Sequence, residues 1–505
     1  MKSDPFILRS WHIYIALLLG TAVRVIYGIY AKNWLNAPDQ IAWQLSIDEA
    51  FSSGTICYKS LMHYPHEGGS FFISLITICL RPFENFIPPL SLAALLIETT
   101  GRFIQIKFAQ KLFGPQVALW FSVWTILSVP LLLPWATVNF GLHVLFSFLP
   151  FVFLYYLTNN KTKYSTPLLC GIITGLSISL SYNSIIFIPA FIIYSCFTSL
   201  NIKIATLNIG KYLVFTFLLL IPHITARIFL DSGFELQDSP LFSIRGVSSE
   251  RLISSEHFSN FVIAWHRILP SSFLLSSITF ISAYLQRDIV FVFLVLTVVF
   301  ITIKYKTNNA LIYSAFLIVI LYILFYSFSP FYVNEIDITS FVYYRHLTYI
   351  VPLMVVIMIY AFLRINKLGL YVLIIWLTVC GTASIMFVQS AEAPQQMSSR
   401  AAGWILAQKY GGDVQKLMAI YQIAPDNEKE EIIIGYGWGL TAEILDGKTV
   451  NDSISIQKLE LLLNEFPTTH KQLIHTGVVY AFQEHITPAL DPQILMFLEK
   501  KWGIR

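Results

Sequence analysis

Long apolar segments alternate with short polar loops over the first 390 of the chain's 505 residues. Many apolar runs reach about 18 residues, enough for an α-helix to cross a hydrocarbon core of about 30 Å. Two shorter apolar stretches, 69–80 and 271–286, are predicted to be interfacial or re-entrant. The pattern predicts an all-α polytopic membrane protein with about eleven spans, at residues 11–31, 87–106, 115–133, 140–158, 166–182, 184–200, 212–229, 288–303, 310–327, 345–363 and 368–389.

Composition and charge placement agree with a membrane protein. Only 12% of the residues are charged and the mean hydropathy is +0.65, whereas soluble domains carry about 25% charged residues. Under the predicted spans each short loop on one side carries two basic residues, and the positive-inside rule makes that side cytoplasmic. The net charge of +4 therefore reflects membrane anchoring and does not indicate nucleic-acid binding. The cytoplasmic pairs are Lys2 and Arg9, Lys107 and Lys111, Lys161 and Lys163, Lys203 and Lys211, Lys304 and Lys306, and Arg364 and Lys367.

Two domains follow from this pattern. Residues 1–389 form the predicted transmembrane domain, with a cytoplasmic N-terminus and outer loops at 32–86 and 230–287. Residues 390–505 contain no run long enough to span and form a predicted extracytoplasmic helical domain. Stretches 431–437 and 472–477 are distantly alike, which is compatible with a helical repeat, although a compact cap without its own activity is favoured. The helices predicted there are 397–410, 427–445, 454–464, 468–484 and 491–501.

Charged residues inside apolar segments are costly and usually have a role. Glu98 and Arg102 are four residues apart in one predicted span, so they share a face and can form an ion pair. Arg24 lies about two turns before the outer end of the first span, where its alternative is to extend to the membrane interface. Arg345 and His346 begin a late span at the outer surface, and a guanidinium there suits contact with a phosphate.

The first outer loop carries the candidate acids and histidines. Asp39 directly follows Pro38 before a predicted helix at 41–53, which it suits as an N-cap, and a carboxylate in the loop after the first span also marks a place where chemistry could occur. Tyr64, His66 and Glu67 precede a Gly68-Gly69 pair. Glu67 could face a substrate from that turn, or the loop could be fixed by hydrogen bonds alone. With His63 and His66, Glu67 could also ligate a divalent cation, but the spacing matches no defined metal site.

The order of several motifs over about residues 10–365 resembles the GT-C superfamily of polyprenyl-phosphate-sugar glycosyltransferases. Protein O-mannosyltransferases and lipid A aminoarabinose transferases belong to it. The chain is similar to a divergent member. The family usually has Asp-Glu where this chain has Asp39-Gln40, and a Pro-Pro-Leu-like stretch where it has residues 64–69. The family's middle helix often ends with a Lys, whereas here it ends Ser181-Tyr182-Asn183. The motifs are Arg24 followed by Asp39-Gln40, Tyr64-Pro65, Arg102 with Leu112-Phe113-Gly114, Gly171 with Gly175-Leu176, and Tyr344-Arg345-His346 with Pro352.

The resemblance implies a GT-C-like bundle and inverting transfer of a sugar from a polyprenyl phosphate to a lipid, glycan or protein acceptor at the outer membrane face. Asp39 would be the general base and Glu67 a second acid. Arg345 is the first choice for stabilising the leaving phosphate. The remaining candidate substrate-binding residues are Arg24, Arg102, Tyr64, His66, Asn183 and His346.

Two other function classes stay open. One is a transporter or flippase for a lipid-linked or anionic substrate, for which repeated halves and broken helices would be typical. The other is a membrane scaffold without catalytic activity. Membrane lipids are expected partners in every case, nucleic acid is not, and a divalent cation remains an open alternative as a cofactor.

Overall fold

The computed structural model describes most of the N-terminal half of the chain and part of the C-terminal half. No strand occurs among the described residues, which are almost entirely helical. The contacts divide the chain into two units: Met1–Tyr30 with Ser46–Ser390, and Ala31–Leu45 with Ala391–Arg505. The described ranges are 10–30, 38–57, 68–84, 86–128, 143–158, 166–199, 201–230, 309–328, 348–390, 395–410, 429–445 and 468–485, with isolated positions between them.

The first unit is a bundle of helices whose positions follow the apolar segments of the sequence. The predicted spans at 288–303 and the stretch 271–286 lie outside the described residues. In chain order the helices up to residue 390 are α1 (Ser10–Tyr30), α2 (Pro38–Ser52, divided between the two units), α3 (Gly69–Leu80), α4 (Pro89–Phe113), α5 (Pro115–Leu127), α6 (Leu149–Thr158), α7 (Thr166–Leu180), α8 (Phe187–Thr198), α9 (Ile202–Leu230), α10 (Asn309–Phe328), α11 (Val351–Phe362) and α12 (Asn366–Ser390).

Several helices present apolar side chains on the outside of the bundle. Along α9 these include Leu207, Val214 and Phe217, all exposed. Large contiguous apolar surfaces are unusual on proteins surrounded by water, and they are the surfaces that lipid covers. By length and composition, Trp11–Ile29 and Ile202–Thr225 are the described segments able to cross a membrane, and several other apolar helices are shorter.

Several predicted spans are wrong in their bounds. The helices at the predicted spans 87–106 and 212–229 are longer, over Pro89–Phe113 and Ile202–Leu230, and two others are shorter. The span predicted at 115–133 ends as a helix at Leu127, and the span predicted at 140–158 becomes a regular helix only at Leu149, after a series of turns over 143–148. Helices of this length rise only about 15–20 Å. Ser128 and residues 143–148, which lie inside these predicted spans, are therefore not regular helix. Such backbone is tolerated at membrane depth where it is buried in protein or lines a cavity.

Helix α7 packs closely on α9 because two glycines face the contact. A Cβ at Gly171 would lie 2.5 Å from the backbone oxygen of Tyr212, and one at Gly175 would lie 2.6 Å from that of Thr216. Small residues four apart let two helix backbones approach in this way. The Gly-x-x-x-Gly motif of the sequence is therefore a helix-packing motif that fixes the position of α7.

In the second unit, three long helices follow one another: α13 (Gln395–Tyr410), α14 (Lys429–Leu445) and α15 (Thr468–His485). Their bounds agree to within two residues with the helices predicted at 397–410, 427–445 and 468–484. Arg400 on α13 forms an ion pair with Glu431 on α14, at 2.7 Å. The predicted helices 454–464 and 491–501 lie outside the described residues.

Candidate functional site

A buried ion cluster joins α1 and α4. Arg24 Nε donates to Glu98 Oε1 at 2.9 Å, and Arg102 Nε donates to Glu98 Oε2 at 2.8 Å. The three side chains are 2%, 4% and 7% exposed for Arg24, Arg102 and Glu98. Two guanidinium groups thus share one carboxylate, and the cluster carries a surplus of one positive charge away from water.

Backbone and hydroxyl oxygens accept hydrogen bonds from one further nitrogen of each guanidinium group. Arg24 Nη1 donates to the backbone oxygens of Gly20 at 2.9 Å and Thr125 at 3.2 Å. Arg102 Nη2 donates to the hydroxyl of Thr21 at 2.9 Å. The absent side chain at Gly20 leaves room for the Arg102 guanidinium, which a Cβ there would strike.

The predicted pairing of Glu98 with Arg102 is confirmed, and the alternative that Arg24 extends to the interface is wrong. Arg24 stays inside because Glu98, 74 residues away in sequence, reaches it from a neighbouring helix. Breaking such a buried pair on one side leaves an uncompensated charge, at a cost of about 3–5 kcal/mol.

A cavity lies against this cluster, where α5 ends. Ser128, the residue after α5, has φ 51° and ψ −149°, a conformation that costs a residue with a side chain about 1–3 kcal/mol. Its backbone oxygen accepts a hydrogen bond from Ser384 on α12 at 3.1 Å. The cavity is lined by Arg24, Glu98, Arg102, Gln105, Trp124, Thr125, Ser128, Leu132, Val144, Ser147 and Pro352.

A second buried polar cluster surrounds Asn183, just after α7. The Asn183 amide nitrogen lies 2.5 Å from Nδ1 of His143 and donates to Ser181 Oγ at 3.2 Å. The Asn183 oxygen accepts from the hydroxyl of Tyr322 at 3.4 Å. Asn183 and His143 are 3% and 2% exposed. These contacts join the segment before α6, the end of α7 and helix α10.

The residue next to Asn183 extends this cluster to the segment before α11. The Ser184 hydroxyl and the Tyr349 hydroxyl are 2.7 Å apart. The rings of Tyr322 and Tyr349 stack with centroids 5.4 Å apart. Four segments that are distant in sequence therefore meet at the C-terminal end of α7. They contain His143, Asn183, Tyr322 and Tyr349.

The beginning of α3 packs against the same end of α7. A Cβ at Gly68 would lie 2.5 Å from the backbone oxygen of Ser179, and one at Gly69 would lie 2.6 Å from that of Leu180. No other residue type fits so close an approach without displacement. The Gly68-Gly69 pair of the first outer loop therefore brings the end of that loop to α7.

The structure describes some of the candidate residues from the sequence and not others. Arg24 and Arg102 lie together in the ion cluster, and Asn183 lies in the second polar cluster. Asp39 is the second residue of α2. Outside the described residues lie Tyr64, His66, Glu67, Arg345 and His346, and with them the His63–His66–Glu67 metal alternative.

Sequence reasoning missed several polar residues of both clusters. His143 is the one with a detectable signal, because a histidine inside a predicted span is uncommon and usually has a partner. Tyr322 and Tyr349 look like ordinary aromatic residues of apolar helices, and only the fold shows that their hydroxyls are buried beside Asn183. Within the part of the chain that the structure describes, no group of three His, Cys, Asp or Glu side chains could hold a metal ion.

Comparison with known proteins finds one similar solved structure and no sequence relative. No protein-family profile and no curated protein matches the chain. The crystal structure of ArnT from Cupriavidus metallidurans bound to undecaprenyl phosphate is similar, with 15% identity and a TM-score of 0.49. The match covers 95% of this chain and 81% of that one.

Proposed function

We propose that this protein is a membrane glycosyltransferase of the GT-C type, which transfers a sugar from a polyprenyl phosphate to an acceptor hydroxyl. The observation that carries the proposal is the meeting of separate segments at one end of α7. Gly68 lies against the backbone of Ser179. Asn183 is hydrogen-bonded to Tyr322, and Ser184 is hydrogen-bonded to Tyr349.

These contacts support a common site for the candidates from the sequence. In sequence, Glu67 directly precedes Gly68, and Arg345 lies four residues before Tyr349. Gly68 and Tyr349 both contact the segment at the end of α7. The GT-C family that the chain resembles often has a Lys at the end of this helix, which here ends Ser181-Tyr182-Asn183.

The proposed chemistry is a single displacement at the anomeric carbon. The acceptor oxygen attacks this carbon while Asp39 removes the hydroxyl proton as a general base. The bond from carbon to phosphate oxygen breaks, the polyprenyl phosphate leaves with the electron pair, and the configuration is inverted. Negative charge grows on the phosphate in the transition state, and a fixed guanidinium such as that of Arg345 stabilises it.

Arg24 and Arg102 come second to Arg345 as candidates for phosphate contact. Each already donates its Nε to Glu98, so direct phosphate contact falls first to Arg345.

The test is sugar transfer by purified protein in lipid nanodiscs, with a panel of polyprenyl phosphates that carry labelled sugars. We expect wild-type protein to release label from one of these lipids and Asp39→Asn to lose that release, because the amide keeps the size of the side chain but cannot accept the proton. Glu49→Gln is the matched control, since Glu49 is an exposed acid on the same helix.

Two results would overturn the proposal. One is release of label by Asp39→Asn at the wild-type rate. The other is movement of the intact sugar lipid across the bilayer of proteoliposomes without cleavage, which would instead support a flippase.

A further inference from the structure

Three buried donor groups without partners line the same cavity. Arg102 Nη1, Trp124 Nε1 and Ser128 Oγ have no hydrogen-bond partner among the described residues, and all three residues are among those that line the cavity beside the ion cluster. Buried polar groups are rarely left unpaired, and each such group calls for an explanation such as an ion or a water molecule. Their convergence points to one occupant of the cavity.

The occupant must accept hydrogen bonds. An indole N–H and a guanidinium N–H can only donate, and a hydroxyl can donate as well. The Glu98 carboxylate also lines the cavity, but each of its oxygens already accepts from an arginine Nε. Water molecules can accept these hydrogen bonds but leave the surplus positive charge of the cluster unbalanced, whereas an anion accepts from the donors and balances that charge.

Size restricts the occupant further. The space accommodates about one or two particles the size of a water molecule. A sugar or a lipid chain does not fit. We propose that the cavity is a binding site for a small inorganic anion, chloride in solution, held by Arg102, Trp124 and Ser128. The bound anion neutralises the Arg24–Glu98–Arg102 cluster, and this site is independent of the proposed sugar transfer.

The experiment uses full-length protein in detergent and follows thermal unfolding as chloride replaces gluconate at constant ionic strength. We expect the melting temperature to rise with chloride and to saturate. In Trp124→Phe and Ser128→Ala, each of which removes one donor, the apparent chloride Kd should rise by about tenfold, as expected for one lost hydrogen bond to a charged group.

A matched control separates the site from a general salt effect. Trp376→Phe removes another buried indole N–H that also has no partner among the described residues and does not line the cavity. It should keep the wild-type chloride response. Broadening of the ³⁵Cl NMR line by the protein gives a second readout, which should be smaller for Trp124→Phe than for Trp376→Phe.

Three outcomes would overturn the proposal. Equal stabilisation by chloride and gluconate would mean that no anion is selected. A Trp124→Phe and Ser128→Ala double variant that responds as wild type does would place any chloride elsewhere. If polyprenyl phosphate displaces chloride from the wild-type protein and itself binds more weakly to Trp124→Phe and Ser128→Ala, the donors bind the lipid phosphate instead.

Discussion

Glu98→Gln is the substitution that most sharply tests the buried ion cluster. In the wild type, Glu98 accepts from Arg24 at 2.9 Å and from Arg102 at 2.8 Å, with all three side chains at most 7% exposed. The glutamine keeps the shape but leaves two buried guanidinium groups with no negative partner. Breaking a buried pair by removing one partner costs about 3–5 kcal/mol.

The magnitude can be measured as a melting temperature in detergent. For large chains one kcal/mol corresponds to about 2 °C, so Glu98→Gln should melt about 6–10 °C below wild type. Glu84→Gln, at an exposed acid before α4, should melt within about 1 °C of wild type, as surface substitutions do.

A double variant tests the same prediction in a second way. The double variant Arg24→Gln with Glu98→Gln removes one cation together with the anion, and the surplus of one positive charge is restored. It should therefore melt above Glu98→Gln alone. A single variant as stable as wild type, or a double variant less stable than the single one, would refute the reasoning.

Two further predictions concern helix packing and the donor. Gly175→Ala should lower the melting temperature, because its Cβ would lie 2.6 Å from the Thr216 backbone oxygen and overpacking costs about 1–3 kcal/mol. Gly210→Ala on the facing helix has open space around it and should leave the melting temperature unchanged. Equal effects of the two substitutions would contradict the packing. Arg345→Ala should weaken polyprenyl-phosphate binding in native mass spectrometry with little change in melting temperature, whereas the control Arg364→Ala should leave binding intact; unchanged binding in Arg345→Ala would point to a structural role.

The positions of the helices could largely be predicted, because apolar runs in this chain are long and bounded by charged or polar loops. The ends of the helices could not be predicted where apolar residues continue past the last helical turn. The sequence after Leu127 stays apolar, but α5 ends at Leu127. The next residue, Ser128, has a φ of 51°, which no hydropathy pattern indicates. The cavity beside Ser128 was invisible for the same reason.

The candidate site shows the same division between local and long-range information. Glu98 and Arg102 are four residues apart, and helical spacing alone predicts their pair. Arg24 joins them from 74 residues away, which requires knowing that α1 packs on α4. Asn183 entered through a family resemblance, whereas its partner His143 became apparent only when the fold brought the two side chains together.

The most direct test of the proposed sugar transfer is analysis of the products that the wild-type protein forms from a labelled polyprenyl-phosphate sugar and an acceptor. The account predicts that free polyprenyl phosphate appears in proportion to transferred sugar, and that the new glycosidic bond has the inverted anomeric configuration. Quantitative recovery of the intact sugar lipid with every donor of the panel would contradict it.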